Sequence, residues 1–151
     1  MTSTPNLQRR TLLAAGIGVA VAGPAFATPA EMAAAISAFT GGVAPKAGRV
    51  TLDVAALVDN GNAVPISVAV DSPMTTGDHV SAIAIFNERN PQTDVVKFTL
   101  GPRAGKAQVS TRIRMATSQK LTAVARMSDG SFWSGSADVI VTLAACVEGE
   151  G

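Results

Sequence analysis

Among the side chains able to act as nucleophile, base or ligand, Cys146 stands out: it is the single cysteine of a 151-residue chain and lies five residues from the C-terminus. It follows the last strand-like run, so an internal disulfide is excluded. Three uses remain for such a thiol: burial as a small apolar residue, a link between two copies of the chain, or chemistry. Only Glu148, Gly149, Glu150 and Gly151 come after Val147, and they offer nothing apolar to bury against. Position therefore favours a functional thiol. The reactive species is the thiolate, yet an exposed thiol with a pKa of about 8.5 is only a few per cent ionised at neutral pH. Glu148 and Glu150 discourage ionisation further, which points to activation by an electropositive pocket in a partner that receives the tail.

The rest of the chemical inventory is sparse. There is one histidine, no tyrosine, no Cys-x-x-Cys, no metal-ligand cluster and no glycine-rich phosphate loop. Asp78-His79 pairs an acid with an imidazole, but neighbours on an extended chain point to opposite faces, and no nucleophile stands at a readable spacing. His79 reads as a loop histidine. Asp53, Asp59, Glu88, Asp94, Asp129 and Asp138 are scattered over turns and strand faces and read as solvated charges, so no cofactor or metal is expected. Phe132 and Trp133 could form a recognition patch, although in a chain with so few aromatic residues at least one should be core.

Leu7-Gln8-Arg9-Arg10-Thr11-Leu12-Leu13 has the form of a twin-arginine export signal, followed by an apolar stretch to Ala22, a Gly23-Pro24 break and Ala25-Phe26-Ala27. The apolar stretch is shorter than the roughly 20 residues a membrane span requires. Residues 1–27 are therefore expected to be removed after Ala27, with export to the periplasm. That oxidising compartment makes a lone cysteine the more telling. Since this route carries folded cargo and no cofactor motif explains its use, a co-exported partner is a reason for it. Loss of Arg9 and Arg10 leaves 10 basic against 11 acidic residues, and so near-neutral a chain gives no electrostatic case for nucleic acid or a membrane surface.

The remaining 28–143 segment suits one domain. Thr28-Pro29-Ala30-Glu31 opens like a capped helix, Met32, Ile36 and Phe39 share a face, and Gly41-Gly42 ends it. From Val50 the period becomes two. Strand-like runs are Val50 to Val54, Val64 to Val70, Ser81 to Phe86, Val95 to Leu100, Ala107 to Met115, Leu121 to Met127 and Ala137 to Leu143. Ser81 to Phe86 is apolar on both faces, as in a central strand, and Pro65 marks an edge or a strand start. Ser128-Asp129-Gly130 signals a hairpin, and Val139-Ile140-Val141 suggests a buried final strand. The expected fold is all-β, an immunoglobulin-like sandwich of about seven strands with a short N-terminal helix and a C-terminal arm over 144–151.

With the export signal, the segment Asp59-Asn60-Gly61-Asn62-Ala63-Val64-Pro65 and the cysteine on a C-terminal arm, the chain resembles the SoxY family of sulfur carriers over essentially its whole length. That family carries a Glu-Asn-Gly-x-x-Val-Pro segment. The resemblance implies an immunoglobulin-like domain bound to a SoxZ-like subunit, with Cys146 as the covalent attachment point for sulfur intermediates. It further implies client enzymes: a c-type cytochrome complex, a dimanganese hydrolase and a sulfane dehydrogenase. The carrier itself would need no catalytic residue. Ala144-Ala145-Cys146-Val147-Glu148 departs from the family's Gly-Gly-Cys-Gly-Gly ending and is more similar to related paralogues whose arm reads Ala-Ala-Cys-Ile-Glu. Flanking glycines make a thin, flexible arm. Methyl groups, a β-branched valine and a carboxylate make this one wider, stiffer and negative, which suits another sulfur species or another client.

Two other classes of function compete with the carrier. In one, the domain is a binding or assembly protein whose exposed cysteine only links chains. In the other it is an enzyme, which requires Cys146 to meet a general base within the domain, and His79 is the one imidazole available. Edge strands and the apolar face of the helix over Glu31 to Phe39 are a second reason to expect a partner chain.

Overall fold

The computed structural model describes residues 25–143. Thr28 caps the helix α1, Pro29–Thr40, through a reciprocal pair: its Oγ1 accepts from the Glu31 backbone N–H at 3.2 Å and its own N–H donates to Glu31 Oε2 at 2.7 Å. Gly41 leaves the helix at φ 67°, a left-handed conformation that costs glycine nothing, and the Gly42 N–H donates to the Ser37 carbonyl at 2.9 Å.

Nine strands follow among the described residues: β1 Lys46–Ala47, β2 Val50–Asp53, β3 Leu57–Asn60, β4 Val64–Val70, β5 Val80–Asn87, β6 Asp94–Thr99, β7 Gln108–Ile113, β8 Gln119–Met127 and β9 Phe132–Leu143. Strands β9, β8, β5 and β6 are adjacent in that order, and β1 and β3 pair in parallel with successive parts of the free edge of β9. Strands β2, β4 and β7 make the second, antiparallel sheet. Inward side chains of the two sheets form the main core, with Val64, Ile66, Val68 and Met115 facing Ile83, Ile85, Leu121 and Val139. This is the immunoglobulin-like sandwich that the alternation implies.

The segment from Lys46 to Asn60 runs along β9, crosses to the second sheet as β2, and returns as β3. Where β2 crosses, the Val50 carbonyl lies against the α-carbon of Gly135, leaving no room for a side chain. Gly135 and its serine neighbours look like a break in one dimension. In the fold they are the middle of a single 12-residue strand.

Helix α1 covers the outer face of the larger sheet. Met32, Ile36 and Phe39 pack on Ala84, Phe86, Val124 and Phe132, with the Phe39 ring 5.9 Å from those of both Phe86 and Phe132. This explains why β5 is apolar on both faces: the sandwich core takes one and the helix the other.

Three expectations change. Seven strands become nine, because β1 and β3 are too short to announce themselves and pair with a strand some 80 residues later. The helix does not hold its whole apolar face in reserve for a partner, since Met32 is buried on its own sheet and Ile36 and Phe39 pack there half-buried. The final strand is not buried as a whole: Val139 is buried, but Ile140 and Leu143 are exposed where β9 outruns β8. The expectation for Pro65 holds: it is the second residue of β4, and although β4 is the central strand of its sheet, only β7 lies alongside at that position.

Candidate functional site

Cys146 and its neighbours Ala144, Ala145, Val147 and Glu148 lie outside the described residues, as do Arg9 and Arg10. The structure instead shows how the chain is held just before them. From Ile140 to Leu143, β9 runs past the start of β8, and two substitutes keep its backbone paired. On one side, Ser118 Oγ accepts the Val141 N–H at 2.8 Å and donates back to the Val141 carbonyl at 3.4 Å. On the other, β3 pairs Leu57, Val58 and Asn60 with Ile140, Val141 and Leu143.

The segment Asp59-Asn60-Gly61-Asn62 closes this clamp. Asn60 Oδ1 accepts the Asn62 N–H at 2.9 Å, which shapes the turn. The buried Gly61 then donates its N–H to the Leu143 carbonyl at 2.9 Å and accepts the Met115 N–H at 2.8 Å. Thr142 Oγ1 donates to the Asp59 carbonyl at 3.2 Å. The residues that carry the family resemblance thus fasten the root of the arm.

The neighbouring loops are knitted together at the same end of the sandwich. Asn90 Oδ1 accepts from the Ala116 N–H at 3.0 Å and Gln119 Nε2 at 2.7 Å, and Asn90 Nδ2 donates to the Arg114 carbonyl at 2.7 Å. Gln119 Oε1 accepts the Arg89 N–H at 2.9 Å, and Asn87 Oδ1 accepts the Asn90 N–H at 2.9 Å. Asn87 and Gln119 are buried and fully engaged, so this network is scaffold for the loop end. Sequence reasoning missed Ser118, Asn90 and Gln119. Their type fits a turn, but nothing local reveals bonds to residues 23 to 30 positions away.

His79 is at the opposite end. It precedes Val80, which pairs with Met127 at the far end of β8, and its Nδ1 lies 3.1 Å from the Thr75 carbonyl while its N–H donates to Ser128 Oγ. From Met127 to Gln119 and on, through the register partner Val139, to Leu143 is on the order of 40 Å along the strands. Three residues beyond Leu143 extend at most about 11 Å. Cys146 and His79 cannot meet within one chain.

The acidic residues do not converge, and no group of three or more His, Cys, Asp or Glu able to hold a metal occurs among the described residues. The Ser131 hydroxyl, then the Ser131 N–H, hold the Asp129 carboxyl below its ordinary value. That is hairpin chemistry. Phe132 lies under α1, and Trp133 is half-buried with Lys46 and Arg49 over its ring at 5.6 and 5.4 Å, so the pair forms no open aromatic patch. No helix among the described residues is long and apolar enough to cross a membrane.

Fold and site together define an immunoglobulin-like sandwich whose described residues hold no ligand cluster and whose last strand is clamped immediately ahead of a lone thiol. Residues 36–146 match the family model described as sulfur oxidation protein SoxY, and the chain belongs to that family. The solved sulfur carrier protein SoxY from Chlorobium limicola f thiosulfatophilum superposes with a TM-score of 0.63 at 28% identity, covering 76% of this chain and 98% of that one. A superoxide reductase (neelaredoxin) from Ignicoccus hospitalis superposes with a TM-score of 0.57 at 12% identity, over 62% of this chain and 80% of that one. The superoxide reductase from Nanoarchaeum equitans gives 0.54 at 11%, over 64% and 100%. These two likenesses are of fold alone. No curated protein matches the chain.

Proposed function

We propose that this protein is a periplasmic sulfur carrier whose Cys146 thiolate binds a sulfur species through a disulfide-type S–S bond and presents it to partner enzymes of sulfur oxidation. The supporting observation is the clamp on Leu143: a family matched through Cys146 has its thiol tethered about 11 Å or less beyond a rigid strand end, remote from the one imidazole. A thiol so placed is suited to delivery. The carrier is not itself an enzyme, because forming or breaking the S–S bond needs acid–base and electron-transfer groups that its clients supply.

Residues 1–27 act as the twin-arginine signal, 28–143 as the carrier domain and 144–151 as the arm, with a SoxZ-like subunit as the permanent partner. Cleavage after Ala27 leaves Thr28 as the new N-terminus, its ammonium beside Glu31 Oε2, which offsets a positive charge at the start of a helix. The Ala-Ala-Cys-Val-Glu arm serves a paralogous branch of the pathway, with a cargo or client other than those of the glycine-flanked arms.

The test is Cys146→Ser. The variant should hold no adduct in the native periplasm and should melt at the wild-type temperature. An adduct that persists on the variant, or a large fall in melting temperature, contradicts the reading.

A further inference from the structure

Where α1 leaves it uncovered, the outer face of the larger sheet is mostly polar, with Lys120, Ser136, Asp138, Asp59 and Thr142 on β8, β9 and β3. Leu57 and Ile140 interrupt it. They stand opposite each other in register, each 59% exposed, and Leu143, 67% exposed, ends the same strand. Leu143 points to the other face of the strand, as Val139 and Val141 do, so the outer-face patch is the cross-strand pair: a single open aliphatic residue is ordinary, but a pair aligned on two adjacent strands is a patch.

Its place in the chain says what covers it. Cys146 is three residues beyond Leu143, so a protein acting on a group held there must approach to within about 11 Å of this strand end. Size argues the same way. Two side chains expose at most a few hundred Å². A stable subunit interface takes about 800 Å² from each partner, so the patch alone fits a transient contact that the arm completes. Charge adds a condition: Asp59 shares the outer face with the pair, Asp138 there stands in register with Lys120, and Glu148 and Glu150 follow in the tail.

We propose that Leu57 and Ile140 are the docking point for the enzymes that act on the Cys146 cargo. The matching surface is an apolar rim flanked by basic side chains around the opening that admits residues 144–151. This rests on the carrier reading and names the part of the sandwich its clients touch. Contact at the rim raises the local concentration of the arm at the opening. It adds binding energy remote from the reacting sulfur, so its loss shows at low carrier concentration and fades at saturation.

The test uses Leu57→Glu/Ile140→Glu, made in the protein as isolated with whatever subunit it carries. Both proteins are reduced and returned to native periplasmic extract, and the initial mass gain at Cys146 is followed by intact mass spectrometry at low and high carrier concentration. A protein-free filtrate of the same extract gives the uncatalysed rate. The variant should gain mass about tenfold more slowly at low concentration, approach the wild-type rate at high concentration, and match wild type in the filtrate. Equal rates at low concentration overturn the docking inference and leave the carrier intact. A variant that sheds its subunit in sedimentation also overturns it, because the patch is then a permanent interface. A wild type that gains mass no faster in extract than in filtrate contradicts the carrier reading itself.

Discussion

The two ends of the sandwich are built differently. At the end that holds His79, short turns carry most of the side-chain bonds, Thr75 with Asp78 and Asp129 with Ser131, and Ser128 joins two strand ends by bonding His79, 49 positions away. At the end where β9 leaves the fold, Ser118, Asn90, Gln119 and Gly61 tie together loops far apart in sequence, and two large aliphatic side chains remain open beside them. One end closes turns and joins two strand ends. The other fixes the strand end at Leu143 and leaves an apolar pair open next to it, which suits the carrier reading proposed above.

That contrast can be broken from either side. Asn90→Ala should have the largest effect on stability, because it strips three side-chain bonds from partly buried partners; a loss of about 2–4 kcal/mol is expected in thermal or denaturant unfolding. A loss no larger than that of a surface substitution would mean the loop end is not knitted as described. Ser118→Ala should cost about 1 kcal/mol. Its sharper signature is faster hydrogen exchange at the Val141 amide, with the β8 centre unchanged.

The smallest effect belongs to the other end. The Ser131 hydroxyl and N–H hold the Asp129 carboxyl below its ordinary value in the folded protein, so this stabilisation is present above the unfolded pKa and lost as pH falls through the lowered one. Asp129 is fully exposed. Asp129→Ala should therefore lower the melting temperature slightly at neutral pH and not at all in strong acid. A difference that grows on acidification would reverse the sign and refute the role assigned to that turn.

Much of this was legible in one dimension where the cause is local. The Thr28 to Glu31 cap, the Asp129-Gly130 hairpin and the alternation of β4 and β7 each depend on residues a few positions apart, and each appears as read. The strands β1 and β3 were not legible, being two and four residues long and stabilised by β9 across the chain. Ile140 shows the same limit: its type says core, but it lies on the outer face of the larger sheet, and α1 covers that face only near Val124 and Phe132. For the site, Cys146 could be singled out by position and solitude. The clamp at its root could not, because the Asn60-Gly61 turn looks like any hairpin loop until it is found against Leu143.

The central claim is that Cys146 holds a sulfur-bearing group in transit, and it is tested most directly by intact mass spectrometry of the mature protein isolated from its native periplasm, before and after a reductant. The carrier account predicts a small, reductant-labile addition that maps to Cys146. A bare thiol throughout, or a disulfide only to another protein, would contradict it and make the cysteine an assembly link.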